Sequence, residues 1–276
     1  MRIKYLGTAA AEGIPALFCD CDVCKKSMKL GGRNIRTRSQ AIIDNTLLID
    51  FPPDTYWHFI QNKLPMDEIT NCLVTHSHQD HLYELDIYMR KKGFANFKEP
   101  RPALNFYTGK DGVKRINEVI NSNNMSEAKA HLVKSGDVFN VQGYTVTALE
   151  ASHAKESTPL VYIIEKDGKS VFYSNDTSEY FEKSWEILKN FGKPISLISL
   201  DCTEGDKHIE YIGHMNLERC IALREKLKTV GVADENTIFV LNHFSHNGGN
   251  ATYDDFVKIA AEHNFLVSYD GMEIEI

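Results

Sequence analysis

No run of apolar residues in this chain approaches the length needed to span a bilayer, and Met1 to Gly7 lacks the long apolar core of a signal peptide. The protein is therefore expected in the cytoplasm, with no membrane partner. Basic charge is not in excess either. The formal charge of -7 argues against a stable nucleic-acid partner, because affinity for a phosphate backbone comes from clustered Lys and Arg. Internal repeats and low-complexity linkers are missing. Cysteines are few, and in a reducing compartment the 6 of them read as thiols or metal ligands rather than as disulfides. Apolar content is ordinary, so a full core needs neither disulfide nor metal to hold it.

Short strand-like runs recur from end to end: Ile3 to Leu6, Gln40 to Ile43, Leu47 to Asp50, Cys72 to Thr75, Leu104 to Tyr107, Tyr144 to Leu149, Leu160 to Glu165, Val171 to Ser174, Ile195 to Leu200, Thr237 to Leu241 and Phe265 to Ser268. Asp167-Gly168 and Asp270-Gly271 sit between apolar runs and predict hairpins. Helical periodicity marks Asp54 to Lys63, Gly112 to Ile120, Ser178 to Phe191, Leu217 to Lys228 and Tyr253 to His263. Asn216 is placed to cap the fourth of these. Strands in both halves with helices between them fit one layered α/β sandwich over residues 1–276. Polar stretches near Gly31 to Ser39, Asn121 to Lys129 and Gly205 to Gly213 read as surface loops.

The chemistry concentrates in Thr75-His76-Ser77-His78-Gln79-Asp80-His81, which follows the apolar run Cys72-Leu73-Val74. Neutral imidazole and carboxylate are first-row metal ligands, and this density reads as a metal site. Three more strand-like runs end in a good ligand: His153, Asp176 and His243. Taken alone, His153 or His243 would more often be a core histidine, and Asp176 could cap a helix starting near Ser178.

The order His-x-His-x-Asp-His, lone His, lone Asp, final His resembles the metallo-β-lactamase superfamily along essentially the whole chain. That resemblance implies the four-layer αββα sandwich of the superfamily. It implies that His76, His78 and His153 hold one divalent metal, that Asp80, His81 and His243 hold a second, and that Asp176 bridges them. Zinc, manganese or iron would suit this donor set. Two such cations lower the pKa of a shared water, and against two carboxylates and a hydroxide they leave roughly +1 at the centre, suited to an anionic phosphoester. Asp50, ending an early strand, is expected to orient a ligand rather than bind metal.

Cys19, Cys21 and Cys24 lie close enough for one tetrahedral zinc, with His246 as a fourth ligand. Spacing alone leaves reduced surface cysteines or a redox loop equally open. Leu6-Gly7-Thr8, Gly13-Ile14-Pro15, the Cys triplet and Arg36-Thr37-Arg38-Ser39 resemble the opening of the PhnP-type phosphodiesterases, which implies a structural zinc on Cys19, Cys21, Cys24 and His246, in an insertion around residues 13–38. Gly213-His214-Met215-Asn216 matches a further motif of that branch. By that resemblance His214 touches the substrate phosphate and protonates the leaving oxygen, so Asp80 and His214 are the expected catalytic residues. Arg33, Arg36 and Arg38 form a basic cluster that is either solvated or a phosphate contact. Cys72, Cys202 and Cys220 read as core, and His58, His131, His208 and His263 as structural.

The function expected is hydrolysis of a small or cyclic phosphodiester by a bridging hydroxide. The alternatives are the same centre acting on a lactone, a thioester or an RNA 3′ end, and a metal-binding protein without activity. The resemblance also suggests a homodimer.

Overall fold

In the computed structural model, which describes residues 1–249 and 251–276, the apolar runs form two seven-stranded sheets. The first contains β1 (Arg2–Gly7), β2 (Gln40–Ile43), β3 (Leu47–Ile49), β4 (Asn71–Leu73), β5 (Leu104–Thr108) and β6 (Ala128–Leu132). The second contains β7 (Val138–Val141), β8 (Tyr144–Glu150), β9 (Leu160–Lys166), β10 (Lys169–Ser174), β11 (Leu197–Asp201), β12 (Ile238–Asn242) and β13 (Leu266–Val267). The final strand, β14 (Glu273–Glu275), returns to the edge of the first sheet beside β1. From β3 to β6, and from β10 to β13, neighbouring strands run parallel.

Period-two alternation explains the layering. Leu47 and Ile49 join a cluster between the sheets with Tyr5, Leu73, Tyr162, Tyr173 and Val240, whereas Leu48 turns outward to Phe106 and Ile116. Strands buried on both faces need continuous apolar sequence, and these have it. The helices α1 (Asp22–Leu30), α2 (Thr55–Asn62), α3 (Lys110–Ser122), α4 (Glu182–Phe191), α5 (Leu217–Thr229) and α6 (Tyr253–Ala261) lie between strands in the chain. Helix α3 packs Ile116 and Val119 on the first sheet; α4, α5 and α6 pack Trp185, Leu188, Leu223, Leu227 and Phe256 on the second. This is the expected αββα order. No helix among the described residues is long and apolar enough to cross a membrane.

The α5 stripe of Leu217, Cys220, Leu223 and Leu227 is buried, and the Asn216 side chain caps the helix by accepting from Arg219 N at 2.9 Å. Asp167 and Gly168, with φ of 51° and 76°, turn β9 into β10 as a paired hairpin. Asp270-Gly271 does not make the hairpin that its sequence predicts. Met272 N does donate to Tyr269 O at 2.9 Å, closing a turn, but β13 pairs with β12 while β14 pairs with β1 in the other sheet. The turn therefore crosses between sheets. Helix α4 starts later than its periodicity suggests, because Ser178 is held by Ser152, its N–H donating to Ser152 O at 3.1 Å.

Candidate metal centre

The donors gather where six strands end on one edge of the sandwich, the position where open sheets with parallel strands offer a crevice. Asp50 follows β3, the segment Thr75 to His81 follows β4, His153 follows β8, Asp176 follows β10, Asp201 ends β11 and His243 follows β12. Asp50, Asp176 and His243 all adopt positive φ, of 68°, 50° and 64°. Non-glycine residues enter that region only when the surrounding structure over-determines them.

Three of the imidazoles are aimed by the hydrogen bond on their other nitrogen. His81 Nδ1 donates to Asp50 Oδ2 at 2.8 Å, which leaves Nε2 for the centre. Asp50 Oδ1 is itself fixed by Thr75 N at 2.7 Å and Thr75 Oγ1 at 2.9 Å. His153 Nδ1 donates to Gly213 O at 3.1 Å. His243 Nδ1 lies 2.8 Å from Thr203 Oγ1. Such outer partners set ligand tautomer and orientation.

The free nitrogens and carboxylate oxygens then form two groups. His153 Nε2 is 3.3 Å from His78 Nδ1, with His76 completing that group. His81 Nε2 lies 3.2 Å from His243 Nε2 and 3.1 Å from Asp80 Oδ2. Asp176 stands between them. Its Oδ2 is 3.0 Å from both His81 Nε2 and His243 Nε2, while Oδ1 is 3.7 Å from His153 Nε2.

These residues fit divalent cations on two counts. Donors about 2.05 Å from a shared tetrahedral cation would be about 3.3 Å apart, close to the spacings found. Secondly, His76 Nε2 is buried without a hydrogen-bond partner, which a protein rarely tolerates unless something else occupies it. Burial pushes His76 and His153 below the ordinary imidazole range, toward the neutral form that ligates. Burial acts the same way on His81, but Asp176, Asp80 and Asp50 together more than reverse it and hold its pKa well above normal. Three carboxylates around one buried imidazole call for positive charge, which cations supply.

His214 stands at the rim of this cluster, its ring 4.8 Å from that of His153 and 5.8 Å from that of His243. Asp201 Oδ2 accepts from His214 Nδ1 at 2.9 Å. Burial lowers the His214 pKa, but the charge and hydrogen bond of Asp201, aided by Asp176 and Glu204, carry it up to about 9. Asp201 also accepts from Asp176 N, Thr203 N and Met215 N, at 3.0, 3.1 and 2.9 Å. Neither Asp201 nor Thr203 was singled out by sequence reasoning. The available signal was an acidic residue closing the apolar run Ile198-Ser199-Leu200, the pattern also seen at Asp50.

Cys19, Cys21, Cys24 and His246 come together as a separate group. His246 Nδ1 is 3.5 Å from Cys19 Sγ and 3.6 Å from Cys21 Sγ. A tetrahedral zinc with ordinary Zn–S and Zn–N bonds has an S···N edge of about 3.6 Å. The triplet is not one loop throughout: Cys21 caps α1, accepting from Cys24 N, and Cys24 lies in the first helical turn. Burial works against ionisation of Cys21, yet hydrogen bonds from Cys24 N, His246 and the other thiols bring its pKa down to about 6. Cys24, more deeply placed, is pushed up to about 12.

The arginines correct an expectation. Arg36 is 5% exposed, donates to Thr8 Oγ1 at 2.8 Å and Ser268 O at 2.7 Å, and lies over the Phe244 ring. Arg38 is taken by Asp54 at 3.1 Å and Ala11 O at 3.0 Å. The Arg36 guanidinium is buried and engaged by the protein itself, so it is not free to bind phosphate as the cluster suggests, whereas Arg38 is paired with Asp54 and partly exposed. Arg33 lies over the Tyr269 ring. The N-cap alternative for Asp176 also falls, since α4 begins at Glu182. Cys72, Cys202 and Cys220 are buried. His58 is buried too, between Gln40 and Thr37.

Fold and site together define an αββα protein with a histidine- and aspartate-lined candidate metal centre. A model of the beta-lactamase superfamily domain matches residues 45–244, and the chain belongs to that superfamily, whose members are metal-dependent hydrolases. Among solved structures it is similar to a diphosphatase of the PhnP family (TM-score 0.76, 20% identity, covering 100% of this chain and 97% of that one). It is equally similar to zinc-bound PqqB from Methylobacterium extorquens (TM-score 0.76, 18% identity, 100% of both chains). Among curated proteins, an octanoyltransferase of Porphyromonas gingivalis is 34% identical over 92 residues, 31% of this chain. The match spans only 17% of that relative's length.

Proposed function

We propose that the chain hydrolyses a small or cyclic phosphodiester at a centre of two divalent cations, with a third metal, zinc, on the Cys cluster. His76, His78 and His153 would hold one cation, Asp80, His81 and His243 the other, and Asp176 would bridge them. Bound there, the cations supply a water of lowered pKa and positive charge for phosphoryl oxygens.

The chain's own residues do the rest. Asp50, Thr203 and the Gly213 carbonyl keep three imidazoles aimed inward before substrate arrives, so no reorganisation is needed at reaction. Asp201 keeps His214 protonated and oriented through Nδ1, which leaves Nε2 to give a proton to a departing alkoxide. Phosphodiester cleavage needs that proton more than thioester opening does, because a free alkoxide is a poorer leaving group than a thiolate. The single observation that carries this reading is the Asp201–His214 pair standing 4.8 Å, ring to ring, from the candidate ligand His153. The PhnP-family neighbour is a diphosphatase, which supports chemistry at phosphorus.

The test is turnover by metal-reconstituted protein of bis(p-nitrophenyl) phosphate, cyclic ribose phosphates, a lactone and a thioester, beside His78→Ala. Phosphodiester turnover abolished by His78→Ala is expected. Preference for the lactone or thioester would overturn the substrate class, and unimpaired turnover by His78→Ala would overturn the site.

A further inference from the structure

The two donor clusters are joined by one short stretch of backbone. His243 belongs to the candidate catalytic centre and His246, three residues on, belongs to the Cys cluster. The segment between them is held on both sides. Phe244 N donates to Thr8 O at 2.9 Å and Ala10 N donates to Phe244 O at 2.9 Å, so Phe244 pairs with the strand-like segment that runs into the Cys loop. On the other side, Ser245 N donates to Thr203 O at 3.1 Å.

Thr203 is the point where these constraints meet. Its Oγ1 contacts His243 Nδ1 at 2.8 Å, donates to His243 O at 2.8 Å, and lies 3.1 Å from Asp201 Oδ2. The turn beyond His246 is packed backbone to backbone against the same residues: a Cβ on Gly248 would stand 2.4 Å from Thr203 O, and one on Gly205 would stand 2.1 Å from Gly248 O. Contacts this close leave little room for independent movement. Displacing His246 therefore moves Ser245 and the turn to Gly248, and these carry Thr203, the residue that aims His243.

We propose that metal binding at Cys19, Cys21, Cys24 and His246 fixes the orientation of His243, and so sets the metal affinity of the group formed by Asp80, His81 and His243. This deepens the reading above and rests on both clusters holding metal. It makes the Cys site a positioning device for the catalytic centre rather than a local staple. Removing an orienting partner of a metal ligand ordinarily costs about 10–100-fold in affinity, and that is the range expected when the Cys site is emptied. Coupling between two binding sites is reciprocal, so filling the catalytic centre must tighten the Cys site by the same factor.

Cobalt titration separates the two clusters, because thiolate-to-cobalt charge transfer reports the Cys site and the visible ligand-field bands report the His and Asp centre. With Cys21→Ser, the thiolate bands should vanish and cobalt binding at the catalytic centre should weaken about 10–100-fold for one of its two equivalents. The reciprocal arm leaves every cysteine in place: chelator competition for the Cys-site cobalt is compared between wild type with its catalytic centre loaded and Asp80→Ala, and the loaded protein should hold it more tightly. Thiolate bands that form in wild type but with identical catalytic-centre affinity in Cys21→Ser, or identical Cys-site affinity in the two proteins of the second arm, would overturn the coupling alone. Thiolate bands absent from wild type would overturn the metal reading of the Cys cluster, and the coupling with it.

Discussion

Asp50 Oδ2 lies 2.8 Å from His81 Nδ1, and neither side chain has any exposure. The pair sets which nitrogen His81 turns to the centre and, through Thr75, where the ligand loop leaves β4. Asp50→Asn preserves shape but replaces one carboxylate oxygen by an amide donor, so His81 loses a charged acceptor. Chelator competition should show metal affinity reduced by about 10–100-fold; unchanged affinity would mean that His81 needs no such partner.

Thr37 Oγ1 lies 2.6 Å from both His58 Nε2 and Asp270 Oδ2, so one hydroxyl joins a buried imidazole to a carboxyl. Burial pushes His58 down to about 4 and Asp270 up to about 6, Thr37, Thr8 and Arg36 opposing the latter in part. The two act in opposite senses on stability. Unfolded His binds its proton near 6.5 and folded His58 only near 4, so this group costs stability as pH falls through that window. Folded Asp270 binds its proton near 6 and the unfolded carboxyl only near 3.9, so this group favours the fold as pH falls and loses that contribution as pH rises through 6. Relative to wild type, Asp270→Asn should lose stability on acidification across that range and His58→Gln should gain it. Denaturant midpoints measured across the range check both, and slopes of the same sign would refute the pairing.

His214 owes its raised pKa to Asp201 acting against burial. Asp201→Asn removes that charge, destabilises the imidazolium and lowers the pKa. The alkaline limb of kcat/KM should therefore move to lower pH. His214→Gln should lose about 10²–10⁴-fold on a substrate with an alkoxide leaving group and far less on a p-nitrophenyl ester, whose leaving group needs no proton. An unmoved limb in Asp201→Asn would exclude His214 as the acid.

Asn216 both caps α5 and donates through Nδ2 to Lys207 O at 2.9 Å, tying the helix start to the loop that carries His214. Asn216→Ala should cost about 1 kcal/mol in thermal or denaturant unfolding for the cap. If the loop tie also matters, His214-dependent turnover should fall while metal content stays constant.

The metal-ligand candidates were legible because their chemistry is dense: His76 to His81 occupy six consecutive positions, and His153, Asp176 and His243 each follow an apolar run. Asp201 and Thr203 were not, since their roles exist only across strands; Asp201 meets Asp176 N at 25 residues' separation and Thr203 meets His243 at 40. Arg36 misled for the same reason, its partners Thr8 and Ser268 lying far along the chain in either direction. Turn chemistry at Asp270-Gly271 specifies a reversal, yet it carries no information on which sheet each flanking strand joins. Helix α1 was hidden by its polar sequence, in which Lys25, Lys26 and Lys29 surround only a few buried positions.

The central claim is a two-cation centre bridged by Asp176, and it is tested most directly by following phosphodiester turnover against equivalents of metal bound at the His and Asp centre, in wild type and in Asp176→Ala. Turnover should stay low through the first equivalent, rise with the second, and fail to rise in Asp176→Ala. Full turnover at one equivalent, or undiminished turnover in Asp176→Ala, would contradict it.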